Sequence, residues 1–304
     1  MEQIKKKARA KLNLGLDVIR RRPDGYHEVK MIMQTIELSD ELTFTKIPQP
    51  GIFIALEKED SNPSFIPTDE SNLIYKAAKM LMDQFQIKQG IHILLKKTIP
   101  VAAGMAGGST DAASTFVAMN ELFELGLSLT QLEEMAVKIG ADVPYCISGG
   151  TVLSQGIGEV LTPIENPPFC YLVIAKPDID VSTKYVYENL HVDQIREHPD
   201  IDAMIQALEK KDLDQLSKLM GNILEKVTQT QYPIISKLKE SMMQQGAKTS
   251  LMSGSGPTVF GIFDEKEKAE AAIRAMKEQG LAKQLFLTYF SNDFSGQSAD
   301  MSMI

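Results

Sequence analysis

The stretch PVAAGMAGGSTDAAS, residues 100–114, constrains this chain more than any other. It follows GIHILLKKTIP, an apolar run that reads as a strand. It leads into residues 111–125, where Ala112, Phe116, Met119 and Phe123 keep helical spacing. Strand, glycine-rich loop and helix are therefore consecutive, with Ser109, Thr110 or Asp111 available as the helix N-cap. Successive glycines let backbone N–H groups turn toward one centre, and the helix start adds partial positive charge, so the favoured guest is a phosphate. Gly104, Gly107 and Gly108 equally suit a tight strand-to-helix turn that holds nothing. No lysine follows the glycines as in a Walker A loop, and the spacing is not GxGxxG.

The rest of the chain is organised around that loop. Alternating apolar residues from Ala8 to about Ile66 (Leu12, Leu14, Leu16, Val18; later Phe44 to Ile54) predict strands joined by the turn Pro23-Asp24-Gly25. ESNLIYKAAKMLMDQF predicts a helix before the GIHILLKKTIP strand. After the loop helix, Thr130 and Glu133 stand at capping-box spacing for a second helix that stops at Gly140. ADVPYCISGGTVLSQGIGEVL then reads as short strands punctuated by glycine.

The proline-rich TPIENPPF, residues 162–169, marks the best domain boundary. Beyond it CYLVIAK predicts a strand, residues 182–245 a succession of helices, one of them opened by Pro233, and AKTSLMS and PTVFGIF two strands joined across Gly254-Ser255-Gly256. DEKEKAEAAIRAMKEQG and KQLFLTYF close the series as helix and strand. That order is a split βαβ unit with helices inserted in its first crossover. The expected class is α+β, with an N-terminal α/β domain over residues 1–165, a C-terminal ferredoxin-like domain over 166–290 and a frayed polar tail over 291–304.

Composition limits the function. The chain has 304 residues, 43% of them hydrophobic, enough for two domain cores. Forty acidic residues against 32 basic ones give a net charge of −8, which argues against a general nucleic-acid or anionic-membrane surface. Cys146 and Cys170 are too few for a disulfide framework or a thiolate metal cluster and suit a reducing compartment. The basic N-terminal stretch lacks an apolar signal core and no run has the length of a membrane span, so a cytoplasmic location is expected. His92, His191 and His198 show no metal-ligand spacing.

Three further stretches carry candidate chemistry. In LMSGSGPTVFG, the backbone at Gly254-Ser255-Gly256 can approach a ligand closely or simply close a hairpin. ARAKLNLGLDV places Lys11 and Asn13 on one strand face and leucines on the other, as a site or as a solvated edge. GADVPYC sets Asp142 before Pro144, where its carboxylate could accept a proton, hold a metal or cap the local backbone.

Taken in order, PVAAGMAGGSTDAAS and LMSGSGPTVFG resemble the second and third signature motifs of the GHMP kinases, phosphotransferases named for galactose, homoserine, mevalonate and phosphomevalonate. AKLNLGLDV, RPDGYHEV, GADVPYCISGG and GIGEVLTPI narrow the resemblance to members that act on a cytidyl-linked methylerythritol in the non-mevalonate isoprenoid route. It runs from Ala8 to about Phe290. Ala106 departs from it, standing where many family loops carry glycine. With a negative φ an alanine is tolerated there, so the loop geometry is expected to survive.

The resemblance implies a two-domain GHMP kinase fold, its N-terminal domain ribosomal-protein-S5-domain-2-like and its C-terminal domain ferredoxin-like. It implies magnesium-dependent transfer of the ATP γ-phosphoryl group to the substrate's 2-hydroxyl. Asp142 would take the hydroxyl proton, and the cation of Lys11 would keep Asp142 ionised. ATP would lie on Lys97, Pro100, Val101, Ala102, Ala103, Gly104, Met105, Ala106, Gly107, Gly108, Ser109, Thr110, Gly254 and Ser255, with Ser109 or Asp142 as candidate magnesium ligands. Asn13 would orient the acceptor, Tyr26 would stack on the cytosine and His27 would bond its edge. Thr183 and Tyr187 would form the opposite wall, where the family often has Phe at the latter position. Small molecules are the expected partners, without nucleic acid, membrane or an obligate protein.

Overall fold

The computed structural model describes residues 2–57 and 66–291. Of the expected tail, only Ser291 lies among them. Strands β1 (Gln3–Arg21) and β2 (His27–Ile47) form one long antiparallel hairpin, closed where the Arg22 N–H donates to the Tyr26 carbonyl (2.7 Å). The hairpin is not regular. Leu12 and Leu14 enter one core cluster while Leu16 and Val18, of the same parity, enter the other, and a register shift at Asn13/Gly15 lies between the pairs. One irregular step turns the apolar side of the strand from one layer to another.

Strand β2 carries β1 along one edge and divides its other edge between β5 (Thr151–Gly156) and β4 (Gly90–Lys96). Strand β3 (Ile52–Leu56) runs parallel to β4, and β6 (Val160–Pro163) pairs with β5. Helix α1 (Leu73–Gln84) separates β3 from β4, its first turn capped by Asn72, whose side chain accepts from the Ile74 N–H. Helices α2 (Gly107–Leu122), α3 (Leu129–Ala136) and α4 (Val143–Ser148) follow β4.

Three local expectations are corrected. Helix α2 begins at Gly107 with Ala106 as its N-cap, so Ser109, Thr110 and Asp111 stand inside the first turns. The capping box belongs to Ser128 and Gln131, because α3 starts one residue before Thr130 and ends at Ala136. VPYCIS is helix α4 rather than a strand, opened by Pro144 near its start, a position that needs no backbone N–H.

The second sheet has the order β10-β7-β9-β8, all antiparallel, from β7 (Tyr171–Lys176), β8 (Thr249–Met252), β9 (Val259–Phe263) and β10 (Gln284–Tyr289). This is the ferredoxin-like strand order. Helix α10 (Lys266–Glu278) connects β9 to β10. The inserted helices between β7 and β8 are α5 (Thr183–Glu188), α6 (Ile201–Glu209), α7 (Leu213–Leu219), α8 (Glu225–Gln231) and α9 (Ile234–Gln244).

The sheets share a core. Leu12, Leu14, Ile32 and Ile36 of the first pack in one cluster with Leu172, Ile174, Phe260 and Ile262 of the second. Main-chain links at Leu16–Asn222 and Ile36–Phe290 fix their relation. Among the described residues no helix is long and apolar enough to cross a membrane.

Candidate active site

The glycine-rich loop lines a cavity of about 420 Å³ with Pro100, Val101, Ala102, Ala103, Gly104 and the turn from Ala106 to Ser109. Lys97 and Asp111 also border it. Met105 and Thr110 do not. The Met105 side chain is buried in the core shared by the sheets and its carbonyl accepts from the Lys11 N–H (3.2 Å), while the Thr110 hydroxyl donates to the Arg9 carbonyl (2.7 Å). Both residues tie the loop to β1. Ala106 has φ +58, against the negative φ expected for it, so this alanine sits in the left-handed region at a cost of about 1–2 kcal/mol. The turn is held from both sides strongly enough to carry that strain.

Gly104 shows what holds it. A Cβ there would stand 2.3 Å from the Ser253 carbonyl oxygen, and the Ser253 hydroxyl donates to the Gly104 carbonyl (3.0 Å). The loop between β8 and β9 is thus pressed against the first loop backbone to backbone. A Cβ on Gly254 would lie 3.4 Å from Asn13 Oδ1 and 3.7 Å from Lys11 Nζ. Lys11 and Asn13, both buried, are joined by a 2.7 Å hydrogen bond from the ammonium to Oδ1. Strand β1, the loop before α2 and the loop after β8 therefore meet at one point.

Asp142 is half-buried at the N-cap position of α4, yet its side chain makes no capping hydrogen bond. Local capping does not account for it. The Cys146 thiol one turn on is pushed up by burial and then by Asp142, while Lys11 acts in the opposite sense, so the carboxylate and the ammonium both bear on Cys146. Among the described residues Lys11 and Asp142 form no ion pair.

Asp142 also acts on Tyr187, whose phenol is pushed up to about 12 by burial and then by that carboxylate. The Tyr187 ring faces His27, with centroids 5.1 Å apart and planes inclined by 40°. Burial, then the charge of Arg21, holds the His27 imidazole below its ordinary value. Tyr26 stands exposed beside this pair, its N–H donating to Asp24 Oδ1 (3.1 Å). Thr183, at the start of α5, shares a 2.8 Å hydrogen bond with Ser255. The residues assigned to the acceptor and those of the glycine loops are thereby linked.

Residues 72–150 match the family described as GHMP kinases N terminal domain, and residues 204–282 match GHMP kinases C terminal. A 4-diphosphocytidyl-2-C-methyl-D-erythritol kinase of Lachnoclostridium phytofermentans is 52% identical over 290 residues, covering 95% of this chain and 98% of its own. The chain belongs to the GHMP kinases. A kinase of the same description from Geobacillus kaustophilus is 47% identical, covering 92% of this chain and 94% of its own. The crystal structure of a 4-(cytidine 5'-diphospho)-2C-methyl-D-erythritol kinase superposes with a TM-score of 0.78 at 28% identity, covering 95% of this chain and all of that one. Homoserine kinase from Cytophaga hutchinsonii shares the fold, with a TM-score of 0.73 at 20% identity over 97% of this chain and 96% of its own.

A buried ion cluster backs the loop of this GHMP kinase. Lys97 donates to Asp111 Oδ2 (2.7 Å) and to Asp40 Oδ2, and all three side chains are buried. Asp40 Oδ1 accepts the N–H groups of Thr98 (2.6 Å) and Ile99 (2.8 Å). Despite burial, the two carboxylates hold the Lys97 ammonium above its ordinary value. Burial foremost holds Asp111 up, to about 8, with Lys97 opposing. Asp111 Oδ1 has no hydrogen-bond partner, an omission that costs about 1–3 kcal/mol or more in a buried site. The sequence offered Asp111 only as a helix cap and gave no signal for Asp40, which lies 57 positions from Lys97.

These residues fit a magnesium ion. Mg²⁺ takes one or two protein oxygens and completes its shell with phosphate and water. Asp111, whose Oδ1 has no partner, and Ser109 border the same cavity.

Proposed function

We propose that this kinase transfers the γ-phosphoryl group of ATP to the 2-hydroxyl of 4-diphosphocytidyl-2-C-methyl-D-erythritol. The observation that carries the reading is the His27–Tyr187 aromatic pair standing within the field of Asp142, since a kinase for a small aliphatic alcohol has no use for a base-reading wall beside its carboxylate. Relatives about half identical over nearly the whole chain bear the name of that activity.

In this reading the backbone from Gly104 to Ser109 receives the ATP phosphates at the start of α2, where N–H groups point outward. Magnesium, when bound with ATP, neutralises charge on the β- and γ-phosphoryl oxygens. Tyr187, His27 and Tyr26 hold the cytosine and so place the erythritol end between Lys11 and Asp142. Neutral His27 offers one N–H donor and one acceptor to the base edge. As the acceptor oxygen bonds to the γ-phosphorus and the bond from that phosphorus to the β-phosphate oxygen breaks, the hydroxyl proton passes to Asp142 and ADP leaves. Lys11, fixed by Asn13, offsets the negative charge on the acceptor oxygen.

The test is ADP release with ATP, magnesium and the cytidyl-linked methylerythritol, homoserine or mevalonate offered in parallel. Turnover with the cytidyl compound alone is expected. Turnover with either other alcohol, or with none, would overturn the substrate assignment.

A further inference from the structure

We propose that Asp111 is the carboxylate that receives the divalent cation of the nucleotide complex, through Oδ1, with the Ser109 hydroxyl beside it. The proposal rests on the ATP reading given above and extends it to a residue with no role there. Asp111 is 3% exposed and borders the cavity lined by the glycine loop. Its Oδ2 is engaged by Lys97, and Lys97 is anchored in turn by Asp40, whose other oxygen is held by two backbone N–H groups. That arrangement fixes the Asp111 carboxyl in one orientation. The oxygen it leaves over, Oδ1, is buried and unpartnered.

Charge points the same way. Two carboxyl groups share one ammonium, so Lys97 is divided between Asp40 and Asp111 and leaves Oδ1 open to a further cation. A triphosphate entering the cavity brings more negative charge to the same place, and a cation between phosphate and Asp111 Oδ1 satisfies both. Among the described residues no three His, Cys, Asp or Glu side chains gather to hold a metal by themselves. The cation therefore arrives with the nucleotide, and a single well-oriented carboxylate suffices for it. Asp142, half-buried and acting with Lys11 on the same Cys146, serves the acceptor instead.

The experiment uses the full chain, the non-hydrolysable ATP analogue AMP-PNP and Mn²⁺ in place of magnesium, with bound Mn²⁺ read by electron paramagnetic resonance. Asp111→Asn keeps the shape and removes the anionic ligand. It is expected to weaken Mn²⁺ in the ternary complex by at least the roughly tenfold that an outer-shell partner is worth, and to leave binding of metal-free AMP-PNP unchanged. Asp40→Asn, which touches Lys97 but not Oδ1, should weaken Mn²⁺ less. Unchanged Mn²⁺ affinity in Asp111→Asn would overturn the proposal, and so would equal losses of metal-free AMP-PNP and Mn²⁺, which would make Asp111 a support for the loop. Failure of the unaltered protein to bind AMP-PNP at all would overturn the ATP reading with it. Anomalous diffraction from Mn²⁺–AMP-PNP crystals of the unaltered protein decides the matter without a variant. A peak bonded to Asp111 Oδ1 is expected, and a peak bonded only to phosphates or to Asp142 would overturn the proposal.

Discussion

In the proposed reaction Asp142 takes the hydroxyl proton and His27 reads the base, and each role can be tested at a single residue. An uncapped, half-buried carboxylate that shares its neighbour Cys146 with the Lys11 ammonium is suited to take a proton, and general-base assistance is worth about 10²–10⁴-fold. A loose phosphoryl-transfer transition state draws on the low end of that range. Asp142→Asn is therefore expected to lower kcat about a hundredfold while leaving the KM for the cytidyl substrate close to that of the unaltered protein. Steady-state kinetics that show near-normal kcat would remove Asp142 from the proton transfer. His27 sets a pH dependence. Burial, then Arg21, lowers its folded-state pKa, so across the window below about 6.5 the unfolded chain binds more protons and stability rises with pH. The contribution of His27 is complete above that window and is lost as pH falls through the lowered value. Urea midpoints followed from pH 7.5 down to 5 should fall more steeply for the unaltered protein than for His27→Gln. A steeper fall in the variant would reverse the sign and refute the argument.

Among elements, the two loops that meet at Gly104 are the decisive pair. Gly104→Ala drives a Cβ to within 2.3 Å of the Ser253 carbonyl oxygen at a φ of +71, so neither loop can keep its place. Loss of AMP-PNP binding together with a stability loss of roughly 2 kcal/mol or more is expected. Ala106→Gly, two residues on, works in the opposite sense: it relieves a left-handed alanine and should raise stability by roughly 1 kcal/mol in urea unfolding. A destabilised Ala106→Gly would show that the loop imposes no strain there. These loops also show how far sequence reaches. Glycine spacing between a strand and a helix was legible because it is local, as were the Pro23-Asp24-Gly25 hairpin and the succession of strands and helices that builds the second sheet. The sign of φ at Ala106 was not, since the hydrogen bonds to Met105 and Gly104 that impose it come from Lys11 and Ser253, far away in sequence. The capping box failed for a smaller reason: SLTQLEE offers two overlapping boxes, and packing of Leu132 and Met135 selects the one that begins at Ser128. Asp40 was invisible because its meaning lies wholly in the Lys97 ammonium that tertiary folding brings to it.

At the scale of the molecule the question is whether the two sheets behave as one body. Their shared cluster takes four large aliphatic side chains from the first sheet and packs them on Leu172, Ile174, Phe260 and Ile262 of the second. Opening either half exposes that face of the other, at about 1.5–3 kcal/mol for each such side chain. The constellation proposed above depends on the same union: Lys11, Asn13 and Asp142 come from the first half, Thr183, Tyr187 and Ser255 from the second. Two internal probes report on it. Cys146 lies in α4 and Cys170 directly before β7, neither is in a disulfide, and burial pushes both thiols up. A buried thiol of raised pKa reacts with an alkylating reagent only when its surroundings open. If the shared core makes the halves one cooperative unit, both cysteines should be labelled with the same opening free energy, and the two rates should rise together as urea is added. AMP-PNP with Mg²⁺ at a hundred times its dissociation constant should slow both alike, by the factor that about 2.7 kcal/mol of added stability implies. Labelling of Cys170 well ahead of Cys146, or protection of Cys146 alone by nucleotide, would mean that the second half opens while the first stays folded. The acceptor wall formed by Thr183 and Tyr187 would then be assembled only in part of the population, and docking of the halves would become a step in the catalytic cycle.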